Sequence, residues 1–381
     1  MIYLNNAATS FPKPEETIEA VTLYLGSAPF HCLRSGYIGQ EEDVIASSRK
    51  KLAVLFNAAS PDNIIFTSGG TESLNLVIRG LDLNGGHVIT TAIEHNSVLR
   101  PLKRLEKEGS IELSVVGCDR NGYVEAQDVA GSIRKNTKAL IVNHCSNVTG
   151  RLIDLNAMRE ACSSGKILFI VDASQSAGCV PIDVAKGKID ILVFTGHKSL
   201  YGIPGIGGLY IKEGISLAPL KVGGTGVKSE DEYQPDQMPL RYEAGTPNVP
   251  GIVSMGAGVD FILKTGIERI TERKRRHVIK MIEELGSVPG IELYGGSDLA
   301  GRVPIFCFNI PPASPVEVGE LLESSFGIIT RSGLHCAPLV HKAIGTYPEG
   351  AVRVSPSYFT TDEEVAKFIY AVKQICEAKK A

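Results

Sequence analysis

Ile167-Leu168-Phe169-Ile170-Val171-Asp172-Ala173-Ser174-Gln175 runs an unbroken apolar stretch into an acid and then into small polar residues. The stretch is too short for a typical helix and does not alternate, so it reads as a strand buried on both faces. The same form recurs on either side. Residues 138–143 lead to Ser146 and Asn147, and residues 190–195 lead to Gly196-His197-Lys198. Upstream, Ile64–Thr67 opens into Ser68-Gly69-Gly70-Thr71 and a helical pattern over 71–79. Residues 87–91 give way to Glu94-His95 and a helical pattern over Asn96–Lys107. Ile111–Val116 and a helix near 125–134 complete the series. Strand–helix alternation of this kind predicts a mostly parallel sheet covered by helices.

After about residue 250 the pattern changes. One long helical stretch over 255–285 ends at Gly286, Pro289 and Gly290. Short strands come next near 291–294 and 303–310, then a helix over 316–326 and strands over 328–331 and 352–354. Thr361-Asp362-Glu363-Glu364 is a capping-box start for a last helix over 361–379. This is the pattern of a smaller α+β domain. The residues before about Pro14 are expected to join it or to cover its edge.

Composition sets outer bounds. The chain has 381 residues, 43% hydrophobic and 21% charged, enough for a large domain, a smaller one and a substantial core. A net charge of -3 gives no electrostatic case for nucleic acid. Arg273-Lys274-Arg275-Arg276 is read as a solvated helix face. The apolar runs are strand-sized, so no membrane span is expected, and residues 1–6 do not resemble a signal peptide. The eight cysteines form no CxxC pair, and no metal site is expected. They point to a cytoplasmic chain whose thiols stay reduced and mostly fill the core.

In open α/β sheets ligands bind beyond the carboxyl ends of the strands, and that rim gathers the chemistry. Gly69-Gly70-Thr71 frees backbone N–H groups at a helix start, where a phosphate is favoured; alone, such a stretch is more often an ordinary turn. Asp172 would be costly to bury without a partner such as a protonated pyridine nitrogen, although a strand-end turn would also use it. His95 is either a plate for a flat ring or a satisfied strand-end histidine. Lys198 alone could be a surface lysine. Gathered on one rim, these residues favour a lysine that holds pyridoxal phosphate as a Schiff base.

Val171-Asp172-Ala173-Ser174-Gln175, Phe194-Thr195-Gly196-His197-Lys198 and Arg331-Ser332-Gly333-Leu334-His335-Cys336-Ala337 together resemble the class V aminotransferase superfamily. Within it they resemble the cysteine desulfurase and selenocysteine lyase branch, of the short cysteine-loop type. The likeness runs from Tyr3-Leu4-Asn5-Asn6-Ala7-Ala8 to the final helix. It implies the type I fold of pyridoxal-phosphate-dependent transferases. A large α/β domain of mostly parallel sheet would span 15–250, with a smaller α+β domain from 1–14 and 251–381. By position, it implies Lys198 as the Schiff-base lysine and the base for the substrate Cα proton. Asp172 would meet the pyridine nitrogen and His95 would stack on the ring. Gln175 and Asn147 would flank the phenolic oxygen and the substrate. Thr71 and His197, helped by Gly70 and Thr195, would hold the phosphate, with Thr246 reaching it from a second subunit of a homodimer. Arg353 corresponds to the arginine that grips the substrate carboxylate, and Arg331 stands near it. An arginine fork suits that task because it binds a carboxylate through two parallel hydrogen bonds.

The thiol decides the reaction. Cys307 sits inside an apolar run, whereas Cys336 sits in a glycine-containing segment beside His335. Either that histidine or the cationic rim would favour its thiolate. The expectation is a desulfurase that turns cysteine into alanine and keeps the sulfur on Cys336 as a persulfide, with an acceptor protein to collect it. Selenocysteine lyase or another class V activity is the alternative. Two positions depart from the resembled branch: Leu334 replaces a histidine, and Tyr37 comes after Arg34-Ser35-Gly36.

Overall fold

A computed structural model describes residues 1–27, 43–163, 166–296 and 301–379; Arg34–Tyr37 therefore lie outside the described residues. The first strand is β1 (Ile2–Tyr3), succeeded by helices α1 (Glu15–Gly26) and α2 (Val44–Phe56). Then come β2 (Ile64–Thr67), α3 (Gly70–Gly80), β3 (Gly86–Thr91), α4 (Asn96–Lys107) and β4 (Ile111–Val116). They continue as α5 (Ala126–Gly131), β5 (Thr137–Asn143), α6 (Leu155–Ala161), β6 (Leu168–Asp172), β7 (Ile191–Thr195) and β8 (Gly207–Ile211).

These strands form a seven-stranded sheet in the order β2-β8-β7-β6-β5-β3-β4. The all-apolar strands β6 and β7 are inner strands and nearly every side chain on them is buried. The sequence of β4, Ile-Glu-Leu-Ser-Val-Val, leaves one side partly open and lies at the edge. β8 is antiparallel to both its neighbours, which leaves β2 parallel to β7 and all the other strands. Its Gly207-Gly208 start weakens the sequence signal for a strand, yet only glycine fits there. A Cβ on Gly208 would lie 2.4 Å from the Ile65 carbonyl oxygen.

Helices bury apolar faces on both sides of the sheet. Phe56 and Phe194 meet on one side, with ring centroids 5.1 Å apart; Leu74, Val77, Leu102 and Ile141 fill the other. Truncating a buried ring such as Phe194 to alanine is expected to cost about 3–5 kcal/mol.

The expected single helix over 255–285 is two. α7 (Val249–Thr265) and α8 (Ile267–Gly286) meet at Gly266, whose φ of 90° is not helical. The basic run on α8 is not wholly solvated either: Lys274 is buried, its amine 3.6 Å from the Cys179 sulfur. Next are β9 (Glu292–Tyr294), β10 (Phe306–Asn309), α9 (Pro315–Phe326), β11 (Ile328–Ile329) and β12 (Arg331–Gly333). The chain then forms α10 (Pro338–Ala343), β13 (Ala351–Val354) and α11 (Asp362–Ala378). A four-stranded sheet, β12-β13-β10-β9, packs with α9 and α11 around Phe306, Phe308, Leu322 and Phe368. Ile2 and Leu4 belong to that same core, because β1 pairs in parallel with β11. Asn6 extends the tie by donating its side-chain N–H to the Ser355 carbonyl. Among the described residues no helix is long and apolar enough to cross a membrane.

Candidate active site

The carboxyl ends of β2, β3, β5, β6 and β7 open into a cavity of about 360 Å³. Gly70, Thr71, His95, Asn147, Asp172, Gln175, Thr195, His197, Lys198, Arg331 and Arg353 all line it. The cavity, closed by Arg331 and Arg353 from the four-stranded sheet, therefore brings together all but two of the residues singled out from the sequence.

Asp172 ends β6 opposite Asn143 of β5. It is almost fully buried, and its Oδ1 accepts the Ser174 N–H at 2.9 Å and the Ser174 hydroxyl at 2.5 Å. No described cation pairs with it at contact distance. Lys198 lies beyond β7, in the same cavity. Burial pulls its pKa down to about 8, against the pull of Asp172, and Arg353 and Arg331 lower it further.

His95 caps α4, its Nδ1 accepting the Ser97 N–H at 3.1 Å. Burial and the nearby Lys198 charge hold its pKa at about 4. At neutral pH it is an uncharged plate, suited to lie against a flat ring. Beneath it, Glu94 has no exposed surface; burial raises its pKa to about 8. Its Oε1 accepts from the Asn143 N–H at 2.9 Å and the Thr91 hydroxyl at 2.6 Å. The sequence alone assigns Glu94 and Asn143 no role, although the acid adjacent to His95 was the signal.

At the other end, Gly70 begins α3 and the Thr71 hydroxyl lies 2.8 Å from that of Ser97. A Cβ at Gly70 would come 2.8 Å from the Ser174 hydroxyl, so the turn leaves its backbone bare towards the cavity. Burial, then the Lys198 and Lys13 charges, keep His197 near pKa 4. Gln175 donates to the Ala7 carbonyl at 3.0 Å, and Asn147 to the His335 carbonyl at 2.7 Å. Arg353, almost fully buried, donates to the Asn147 carbonyl and to Asn5 Oδ1, at 3.0 and 3.3 Å. Asn5 carries no sequence signal for this contact because its partner lies so far along the chain.

Two residues stand apart. Cys336 lines an adjoining groove of about 700 Å³ that shares Thr71, His95 and Ser97 with the cavity. Its thiol is exposed, and the Arg331 guanidinium donates to it at 3.8 Å. His335 does not face the thiol: its ring is buried, stacked on His341 and bonded to the Arg331 carbonyl. Of the two expected influences on the thiolate, only the cationic rim is in contact. Thr246 lines a separate cavity with Gly245, Ser68 and Glu72.

Three buried polar atoms on cavity residues have no partner: His197 Nδ1, Asn147 Oδ1 and Arg353 Nε. Such atoms are costly unless a ligand meets them. A helix start, an uncharged imidazole, a carboxylate and a lysine amine with lowered pKa fit the phosphate, ring, pyridine nitrogen and aldehyde of pyridoxal phosphate.

The sequence profile of the aminotransferase class-V family matches residues 2–368. A probable cysteine desulfurase of Methanothermobacter thermautotrophicus is 34% identical over 376 residues, covering 96% of this chain and 92% of the relative. The apo cysteine desulfurase of Thermococcus onnurineus superposes with a TM-score of 0.90 at 32% identity, over 99% of this chain and 95% of that one. The cysteine desulfurase CsdA of Escherichia coli does so at 0.88 and 26%, over 99% and 94%. The fold is thus the type I fold of pyridoxal-phosphate-dependent transferases. With its motifs, its rim and nearly its whole length in agreement, the chain belongs to the aminotransferase class-V family.

Proposed function

We propose that this chain is a pyridoxal-phosphate-dependent cysteine desulfurase, converting cysteine to alanine and holding the released sulfur on Cys336. One observation carries the reading: an exposed thiol stands beside a cation at the mouth of the cavity that holds Lys198 and Asp172. When bound, pyridoxal phosphate supplies an aldehyde that takes amines and a ring that withdraws electrons from the substrate Cα. The chain's residues supply the rest. Asp172 would keep the pyridine nitrogen protonated, and His95 would hold the ring flat. Thr71, His197, Gly70 and Thr195 would bind the phosphate, and Gln175 the phenolic oxygen. Arg353, with Asn147 and Arg331 near it, would grip the substrate carboxylate. Lys198, with its lowered pKa, is the base suited to take the Cα proton and return one. Cys336 thiolate would then attack the substrate sulfur: the C–S bond breaks, an S–S bond forms, and alanine leaves without its sulfur.

The same reading makes the working unit a homodimer in which Thr246 completes the neighbour's phosphate site. It makes a protein the acceptor of the Cys336 sulfur, and the cytoplasm the setting, where thiols stay reduced. It divides the chain into a cofactor-binding domain over 15–250 and a smaller domain from 1–14 and 251–381. The test is alanine release from cysteine and from selenocysteine, side by side, with Lys198→Ala and Cys336→Ala. Release from cysteine that needs both residues supports the desulfurase. Release from selenocysteine alone, or release indifferent to Cys336, makes the chain a lyase instead.

A further inference from the structure

Cys336 occupies a turn that its residue types do not favour. His335 and Cys336 have φ of 50° and 59°, two consecutive side-chain-bearing residues in the left-handed region. Such residues visit that region singly and persist there only where the surroundings hold them. Bonds to the backbone carbonyls supply part of the hold: the Asn147 side-chain amide donates to the His335 carbonyl, and the Asn96 N–H to the Cys336 carbonyl at 2.8 Å. Neither fixes the His335 side chain.

We propose that His341 is a positioning residue for the Cys336 thiol, acting through the ring of His335. The proposal rests on the reading of Cys336 as sulfur acceptor. His335 Nε2 lies 3.0 Å from the Arg331 carbonyl, which only accepts, so Nε2 carries the hydrogen. In the neutral ring Nδ1 is then an acceptor, and His341 Nε2, 3.3 Å away, must donate to it. His341 Nδ1 is left to accept the Thr346 hydroxyl at 2.7 Å. With both rings uncharged, this assignment satisfies all four ring nitrogens. Burial, then the Arg353 charge, holds His341 at about pKa 4 and His335 well below its ordinary value.

The chain of bonds runs from Thr346, through α10, into the carbonyl of Arg331, the residue whose guanidinium meets the thiol. Without the His341 N–H, a buried acceptor on His335 goes unpaired, which favours a different ring position. The turn that aims the sulfur then loses its side-chain anchor.

The test compares His341→Phe, of similar size but unable to donate, with His341→Gln, whose amide nitrogen can replace Nε2. In the cofactor-loaded enzyme, H341F is expected to lower kcat for alanine formation about tenfold. KM for cysteine is expected to stay within about twofold, with the cofactor absorbance unchanged. H341Q recovers most of the rate, and the alkylation rate of Cys336 by iodoacetamide shifts in H341F but not in H341Q. If H341F does not fold, Thr346→Val removes only the hydroxyl that orients His341 and is read in the same way. Wild-type kcat in the folded donor-lacking variant overturns the proposal. So does equal loss of cofactor from H341F and H341Q, which marks a merely structural role. Cys336→Ala, run alongside, separates the two readings. If it still forms alanine at the wild-type rate, the desulfurase reading fails. If it is inactive while H341F is unimpaired, only the role of His341 fails.

Discussion

The Arg331 guanidinium lies 3.8 Å from the sulfur of Cys336, while the imidazole of the adjacent His335 is turned inward onto His341. The cation beside the thiol is thus five positions away in sequence, and the residue next door serves the turn instead. Arg331→Met is expected to slow iodoacetamide alkylation of Cys336 a few-fold at low ionic strength, on the order of 1 kcal/mol for a partly exposed pair. The difference is expected to shrink in ~1 M salt, because the contact is open to solvent. Equal rates for the two proteins at low salt would remove Arg331 from any role at the sulfur.

Arg353 is buried, with Nη1 and Nη2 held on Asn147 and Asn5. Arg353→Lys keeps a positive charge but loses the planar fork. KM for cysteine is expected to rise about 10–100-fold, with the cofactor absorbance retained. An unchanged KM would place the substrate carboxylate elsewhere.

Glu94 predicts an unusual pH dependence. Its pKa is raised from about 4.5 to about 8, chiefly by burial, so the native state keeps a proton that the unfolded chain releases. Its contribution to stability is full below pH 4.5 and is lost as pH rises to about 8. Glu94→Gln, neutral at every pH, is expected to remove that slope from the denaturation midpoint while keeping the acceptor for Asn143 and Thr91. Glu94→Ala is expected to cost roughly 2 kcal/mol, through unpaired donors and a void. A slope equal in wild type and Glu94→Gln would mean the carboxyl is ionised in place.

Lys198 gives the opposite sign in the cofactor-free protein. Its pKa falls from 10.5 to about 8, so between those values the unfolded chain binds the extra proton. Stability from this group is present above pH 10.5 and is lost as pH falls to about 8. Lys198→Met, denatured with urea across that window, is expected to lack this component and to be more stable than wild type at pH 7. A mutant less stable at pH 7 would show that the lysine is solvated and charged at no penalty.

Much of this architecture could be read from residue order. Strands β5, β6 and β7 are legible because a strand buried on both faces needs an unbroken apolar run, and the polar residues just past each run mark the rim. β8 was not legible, since Gly207-Gly208 carries no side chains to signal a strand. The break at Gly266 was hidden in a helical pattern that continues on both sides of it. Within the site, the gathering of Asp172, Lys198 and His95 follows from strand order, whereas Arg353, on β13 of the other sheet, is placed there only by the family resemblance. The direction of His335 follows from neither, because positive φ at two successive residues turns that ring away from its neighbour. The Asn5–Arg353 contact was equally hidden, since nothing local couples such distant positions.

The pairing of β1 with β11 joins positions far apart in the chain, and the Asn6–Ser355 bond that extends it spans 349 positions. During synthesis, the segment carrying Asn5 and Ala7 leaves the ribosome long before its partners exist. At roughly 5–20 residues per second, the delay is tens of seconds. Most of the seven-stranded sheet can form in that interval, but the wall that seats Gln175 and Arg353 cannot. A nascent chain therefore presents its cofactor cavity with one side missing. Capture of the cofactor in its final seat thus waits until the segment that carries β11, Arg353 and Ser355 has been made.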